Sequence, residues 1–366
     1  MEGKQKQMLA TLVGCNYAGT PNELRGCIND VLAMRDTLVA RFGFASRDIT
    51  VLTDDHDDGS GGVLPTGANI KRALADMVAR AAPGDLLFFH YSGHGTLVPH
   101  RRGHGHDGGR RDEAIVPCDF NLITGSSSCS RSPLLPVRHH RARAHHRSDI
   151  LAADVDFRQL VDRVPQGATF TMVSDSCHSG GLIDQEKEQI GPSVDDLANG
   201  TTTPATSTRA VRARFLPYAA VVGHLSDASG VDASHHVADH LLALFGADAS
   251  AKFHHQRHHD STPTLRPDGG VLLSGCQTDE TSADVAADDE AADGGKACGA
   301  FSSAVQAVLA AHPAPLSNRE VVSRAREVLG EQGFEQHPCL YCSDANADAP
   351  FLGQQEEKPA AAMAAL

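Results

Sequence analysis

Two residues able to act as a nucleophile and its base, Cys177 and His94, each sit in a short polar loop that follows an apolar stretch. FFHYSGHGT holds the histidine and TMVSDSCHSGG the cysteine. A thiol with an ordinary pKa of about 8.5 is mostly protonated at neutral pH; a neighbouring imidazole takes that proton and later returns it to a leaving amine. That chemistry is acyl transfer through a thioester. Gly95, Gly180 and Gly181 allow close backbone approach to a substrate, and the amides of Gly95 and Cys177 are candidate donors to an oxyanion. A lone Cys is more often a buried structural thiol, so the weight rests on the polar, glycine-flanked contexts of both residues.

For the two loops to meet, the apolar stretches before them must share one sheet, and the chain supplies the alternation that builds one. Met8 to Gly14 reads as a strand. Thr20 with Pro21 and Glu23 reads as a capped helix start, carrying Leu24, Ile28, Val31, Leu32, Leu38 and Val39 at helical spacing as far as Gly43. Ile49 to Thr53 is a second strand, and Thr66 caps a helix with Ile70, Leu74, Met77 and Val78 that Pro83-Gly84 stops. Asp85 to Tyr91 is a buried strand, Glu113 to Asp119 another short one, Phe157 to Val164 a helix and Thr169 to Ser174 a further buried strand. Later come a helix over Val237 to Phe245, a strand over Gly270 to Cys276, and helices over Phe301 to Ala311 and Ser317 to Leu329. The expected fold is α/β, a mostly parallel sheet flanked by helices, with ligands at the carboxyl ends of its strands. Two segments interrupt it. Gly125 to Ala153 reads as a surface insertion with five arginines between Arg131 and Arg147, and Ile190 to Arg214 has the low hydrophobicity of a linker. The expected division is 1–189, a linker region 190–268, and 269–366, the outer two sharing one core.

HYSGHGT and SDSCHSGGLID resemble the two catalytic loops of metacaspases, in the caspase-like clan of cysteine peptidases. NYAGTPNELRGCIND, DEAIVPCDFNLIT, SGCQTDETSADV and EQHPCLYCSDANADAPFL resemble further segments of the plant-type, type II group, in that order over roughly positions 8 to 353. The resemblance implies a caspase-hemoglobinase fold with p20-like and p10-like regions, and His94 and Cys177 as the dyad. It implies a pocket for Arg or Lys lined by Asp30, Ser92 and Asp175; a guanidinium in such a pocket needs carboxylates. It implies calcium bound through Asp112, Asp154, Asp156 and Asp184, although the insertion and Val155 interrupt the acidic cluster. It makes Cys339 an auxiliary thiol. It also implies self-processing after a basic residue shortly before Leu-Pro, here Arg214, with Arg212 and Arg209 as neighbours; uncut, Arg214 would fill the chain's own acidic pocket.

Composition bounds the alternatives. Acidic residues outnumber basic ones 46 to 32, a net charge of −14, which argues against nucleic acid or an anionic membrane as partner. No segment approaches 18 uninterrupted apolar residues, and nine scattered cysteines fit reduced thiols, so a soluble, cytoplasmic protein is expected, and it is taken as a monomer. Cys339 and Cys342 have half the spacing of a zinc site, without a second pair. The reading is a calcium-dependent endopeptidase acting on proteins or peptides after Arg or Lys. Its rivals are a calcium-responsive scaffold of the same fold and a clan relative specific for Asn or Asp.

Overall fold

The computed structural model describes residues 6–55, 62–99, 111–125, 156–183, 187–191, 210–254, 270–277, 280–287 and 295–353. The chain opens as a βαβαβ run: β1 (Met8–Gly14), α1 (Cys27–Ala40), β2 (Ile49–Thr53), α2 (Gly67–Arg80) and β3 (Leu86–Ser92). β4 (Gly95–Pro99), β5 (Arg111–Ile115) and β6 (Ile123–Thr124) form a separate antiparallel sheet, before α3 (Phe157–Arg163) and β7 (Thr169–Asp175). There follow β8 (Glu188–Ile190), β9 (Val211–Ala213), α4 (Tyr218–Ser229), α5 (Val237–Phe245), β10 (Gly270–Ser274), β11 (Ala283–Val285), β12 (Cys298–Gly299), α6 (Ala300–Ala311), α7 (Asn318–Glu331) and β13 (Cys339–Tyr341).

The main sheet runs β2-β1-β3-β7-β10-β13-β8; its first five strands are parallel, β13 is antiparallel to β10, and β8 is antiparallel to β13. Because side chains alternate along a strand, each central strand feeds two cores. Leu9, Val13, Leu87, Phe89 and Met172 pack with Ile70 and Leu74 of α2, Leu160 of α3, Leu225 of α4 and Leu241 of α5. Leu12, Phe88, Val173 and Leu273 face the other way, against Val31 and Met34 of α1, Phe301 of α6 and Val322 of α7. Strands buried on both faces are why these runs read as continuously apolar.

Most elements follow their signals. Thr66 caps α2, its hydroxyl accepting from the Asn69 amide, and Ser317 and Glu320 form a complete capping box on α7. α1 departs from expectation: it begins at Cys27 behind Gly26, and Thr20, Pro21 and Glu23 make turns instead. Tertiary bonds claim this stretch, since the Leu24 amide donates to Asn16 O at 2.7 Å and the Arg25 and Gly26 amides to the Asp284 carboxylate at 2.9 and 3.0 Å. The 190–268 linker also needs correction. Residues 192–209 and 255–269 lie outside the described residues, but α4 and α5 bury Val221, Leu225, Val237 and Leu241 in the core, so 210–254 is part of the folded body. Among the described residues no helix is long and apolar enough to cross a membrane. Nearly all of the basic insertion, 126–153, falls outside the described residues.

Candidate active site

β3 and β7 are neighbours in register, with Ser92 opposite Asp175, so the loops that leave them start side by side at the carboxyl edge of the sheet. His94 lies two residues beyond β3 and Cys177 two beyond β7; both are buried. Gly95 backs directly onto Cys177: a Cβ at position 95 would overlap the Cys177 carbonyl oxygen. Glycine is therefore required for the two loops to touch.

The Cys177 sulfur accepts the Ser282 amide at 3.0 Å and faces the Ser282 carbonyl at 3.8 Å. His94 is positioned through both backbone and ring. Its amide donates to the Tyr17 hydroxyl at 3.0 Å, the Tyr17 ring lies 4.8 Å away centroid to centroid, and its Nε2 meets the Asn22 carbonyl at 2.8 Å. A carbonyl only accepts, so Nε2 carries the proton and Nδ1 keeps its lone pair. Burial lowers the His94 pKa, against the upward pull of the Asn22 and Arg214 backbones, which favours the neutral ring a base requires.

A third strand of chain crosses this edge. β9 pairs antiparallel with β11, the Arg214 amide donates to Ser282 O at 2.9 Å, and Arg214 O accepts the Gly95 amide at 2.9 Å. The Leu216 amide then donates to Gly95 O at 3.0 Å, and Leu216 is buried. Between these anchors the Arg214 side chain turns inward and is fully enclosed. Nη2 meets Asp30 Oδ2 at 2.8 Å and Asp284 Oδ1 at 2.9 Å, while Nη1 meets Ser92 Oγ at 2.7 Å and Asp175 Oδ2 at 3.2 Å. The Ser92 hydroxyl in turn donates a hydrogen bond to Asp30 Oδ2 at 2.7 Å. Burial works against the arginine's charge, but Asp175, Asp30 and Asp284 outweigh it and raise its pKa. Burial likewise pushes Asp30 up to about 6, against the opposing pull of the guanidinium. A Cβ on Gly299 would strike both the Asp175 carboxylate and the guanidinium, so the pocket wall is bare backbone there.

The structure thus brings together His94, Gly95, Cys177, Asp30, Ser92, Asp175 and Arg214. It adds three groups that sequence reasoning missed. Asp284 lies inside SGCQTDETSADV, where an acidic residue in a quoted motif was a usable signal; the Asn22 carbonyl and the Ser282 backbone are main-chain groups that no residue type announces. Arg212 extends to Glu23 O at 2.6 Å, and Arg209 lies outside the described residues. Cys339 stands apart, on β13 with β10 between it and β7, its thiol directed at His337 O and Arg326 and pushed up to about 11 by burial. That placement does not suit an auxiliary nucleophile. Of the four carboxylates expected to hold calcium, Asp154 and Asp184 lie outside the described residues. Asp112 is buried against the Lys252 ammonium, and Asp156 Oδ1 accepts from Thr124 Oγ1 at 2.7 Å. Among the described residues no group of three His, Cys, Asp or Glu is arranged to hold a metal ion.

A caspase-domain family model matches residues 7–350. The chain is 50% identical to Metacaspase-9 of Arabidopsis thaliana over 365 residues, covering 96% of this chain and 99% of that protein. It is 36% identical to Metacaspase-6 of the same plant, covering 94% and 99%, and 30% identical to Metacaspase-1 of Schizosaccharomyces pombe, covering 93% and 68%. A crystal structure of a Geobacter sulfurreducens protein superposes with a TM-score of 0.53 at 18% identity over 94% of this chain and 97% of that one, a likeness of fold.

Proposed function

Because this chain belongs to the caspase-domain family, as a type II metacaspase and hence a caspase-like cysteine peptidase, we propose that it is an endopeptidase cutting after Arg or Lys and that it cuts itself after Arg214. The observation carrying this reading is Arg214 itself: a fully buried guanidinium among Asp30, Asp175 and Asp284, with its carbonyl on the Gly95 amide beside Cys177. In this reading Asp30, Ser92, Asp175 and Asp284 form the specificity pocket. His94 Nδ1 takes the Cys177 proton and the thiolate adds to the carbonyl carbon. The amides of Gly95 and Cys177 hold the oxyanion; the imidazolium then protonates the leaving amine, and water hydrolyses the thioester.

Calcium belongs to the same proposal. The donor chemistry suits a hard divalent ion, since Asp112 and Asp156 are buried carboxylates and Asp112 already holds a cation, the Lys252 ammonium. Asp112, Asp154, Asp156 and Asp184 would hold it; when bound it supplies a charge shared between the segments that carry them. The deciding assay uses paired Arg and Asp fluorogenic peptides with calcium and with excess chelator. Turnover of the Arg peptide in calcium alone is expected. Preference for Asp would overturn the specificity, and full activity in chelator would overturn the calcium requirement.

Asp284 gives a second test. Truncating one partner of a buried charge pair costs ~2–5 kcal/mol, and with Asp30 and Asp175 still present Asp284→Asn should sit at the low end, about a 30-fold loss of kcat/KM on Arg peptides. A change smaller than about twofold would remove Asp284 from the pocket.

A further inference from the structure

The mechanism above leaves one nucleophilic group beside the reacting sulfur unexplained. Cys276 follows β10, whose Ser274 pairs with Ser174 of β7, so Cys276 comes off the neighbouring strand level with Ser176. Cys177 is one residue further on, so with strands ~4.8 Å apart and ~3.3 Å of rise per residue its Cα lies roughly 6 Å from that of Cys276, inside the Cα separations that a disulfide spans. The thiols also share a landing site. Cys276 Sγ donates to Glu280 O at 3.5 Å and Ser176 O at 3.8 Å, while Cys177 Sγ holds the Ser282 amide at 3.0 Å, so the two sulfurs rest on residues 280 and 282 of one stretch. Both cysteines are buried, and the Arg214 amide is bonded to the same Ser282 carbonyl that faces Cys177, so the 211–216 segment lies over Cys177.

We propose that Cys276 is a resolving thiol, which forms a reversible disulfide with Cys177 when the protein meets hydrogen peroxide or an organic hydroperoxide. Peroxide transfers one oxygen to the Cys177 sulfur, leaving a sulfenic acid and releasing water or the alcohol. The Cys276 sulfur attacks that sulfur: the S–S bond forms, the S–O bond breaks, and the Cys276 proton departs with the hydroxide as water. Two thiols are oxidised and one peroxide reduced. The neighbouring Cys177 and burial both raise the Cys276 pKa, so that thiol stays protonated and poorly reactive toward peroxide, and oxidation begins at the sulfur that has His94 as its base. Pairing then diverts the sulfenic acid from irreversible sulfinic acid. The pairing stands on geometry; its effect on activity rests on the assignment of Cys177 as nucleophile.

The test treats the full chain with equimolar peroxide, blocks free thiols with iodoacetamide and maps peptides by mass spectrometry. A Cys177–Cys276 cross-linked peptide is expected, with turnover falling at least about tenfold in step and returning on dithiothreitol. In Cys276→Ser the same dose should cause a loss that dithiothreitol does not reverse, with Cys177 recovered as sulfinic acid. Wild-type Cys177 found as sulfinic acid, or paired with another cysteine, overturns the proposal without need of the variant. A cross-link that leaves activity untouched keeps the pairing and removes Cys177 from the nucleophile's role.

Discussion

Cys177→Ala is expected to lower peptide turnover by a factor on the order of 10⁴ or more, and to abolish self-cleavage, with the fold retained. The covalent route needs a nucleophile between the Gly95 amide and the imidazole, and removing such a group typically leaves only what binding and oxyanion stabilisation supply. No other cysteine described here takes over, since Cys276 is held protonated and Cys339 is directed away on β13. The structural cost is small by comparison. The Ser282 amide loses its sulfur acceptor, a deficit of about 1–3 kcal/mol for a buried donor. Circular dichroism and thermal unfolding should therefore report a folded protein of modestly lower Tm. Turnover within about tenfold of wild type would contradict the assignment of Cys177.

How much of this was legible in the sequence depends on where each element draws its stability. β1, β3, β7 and β10 are buried on both faces, so their residues had to be apolar and the strands read directly. α5 was found at its observed ends because Val237, Leu241 and Phe245 repeat at helical spacing. The start of α1 was not, because a capping signal at Thr20 competes with long-range acceptors at Asn16 and Asp284 that local sequence cannot show. β9 was hidden for a different reason. Its three residues are exposed, and its place comes from pairing with β11 and from one anchored side chain, so composition alone gives a linker. The site was half legible in the same sense. Cys177, His94, Asp30, Ser92 and Asp175 stand at strand ends or in motifs, whereas the Asn22 carbonyl becomes visible only when the 20–26 stretch abandons helix to reach His94.

Arg214 gives the last expected result, because the same contacts make it both substrate and plug. Its carbonyl is hydrogen-bonded to the Gly95 amide, Leu216 is fixed beyond the bond to be cut, and Ser282 holds the amide before it. Processing should therefore produce a new N-terminus at Phe215 in calcium-treated protein and none in Cys177→Ala, read by mass spectrometry; an intact 211–216 segment in fully active enzyme would refute self-processing there. Arg214→Ala separates the plug from the substrate. It removes the guanidinium held by Asp30, Asp175 and Asp284, and truncating such a buried partner costs ~3–5 kcal/mol where no water replaces it. The lower end is expected, about 3 kcal/mol, because Val211–Ala213 are exposed and water can re-enter the emptied pocket. The pH dependence has a definite sign. Burial raises the Asp30 pKa to about 6 even with the guanidinium beside it, and higher without it, so the deficit is full where Asp30 is ionised in both proteins, shrinks as the pH falls from the variant's higher Asp30 pKa toward 6, and levels off below. Thermal unfolding of wild type and Arg214→Ala across pH 5 to 8 should show curves that converge toward acid. A gap that widens toward acid would mean that the arginine is not held by ionised carboxylates, and the pocket assignment would fall with it.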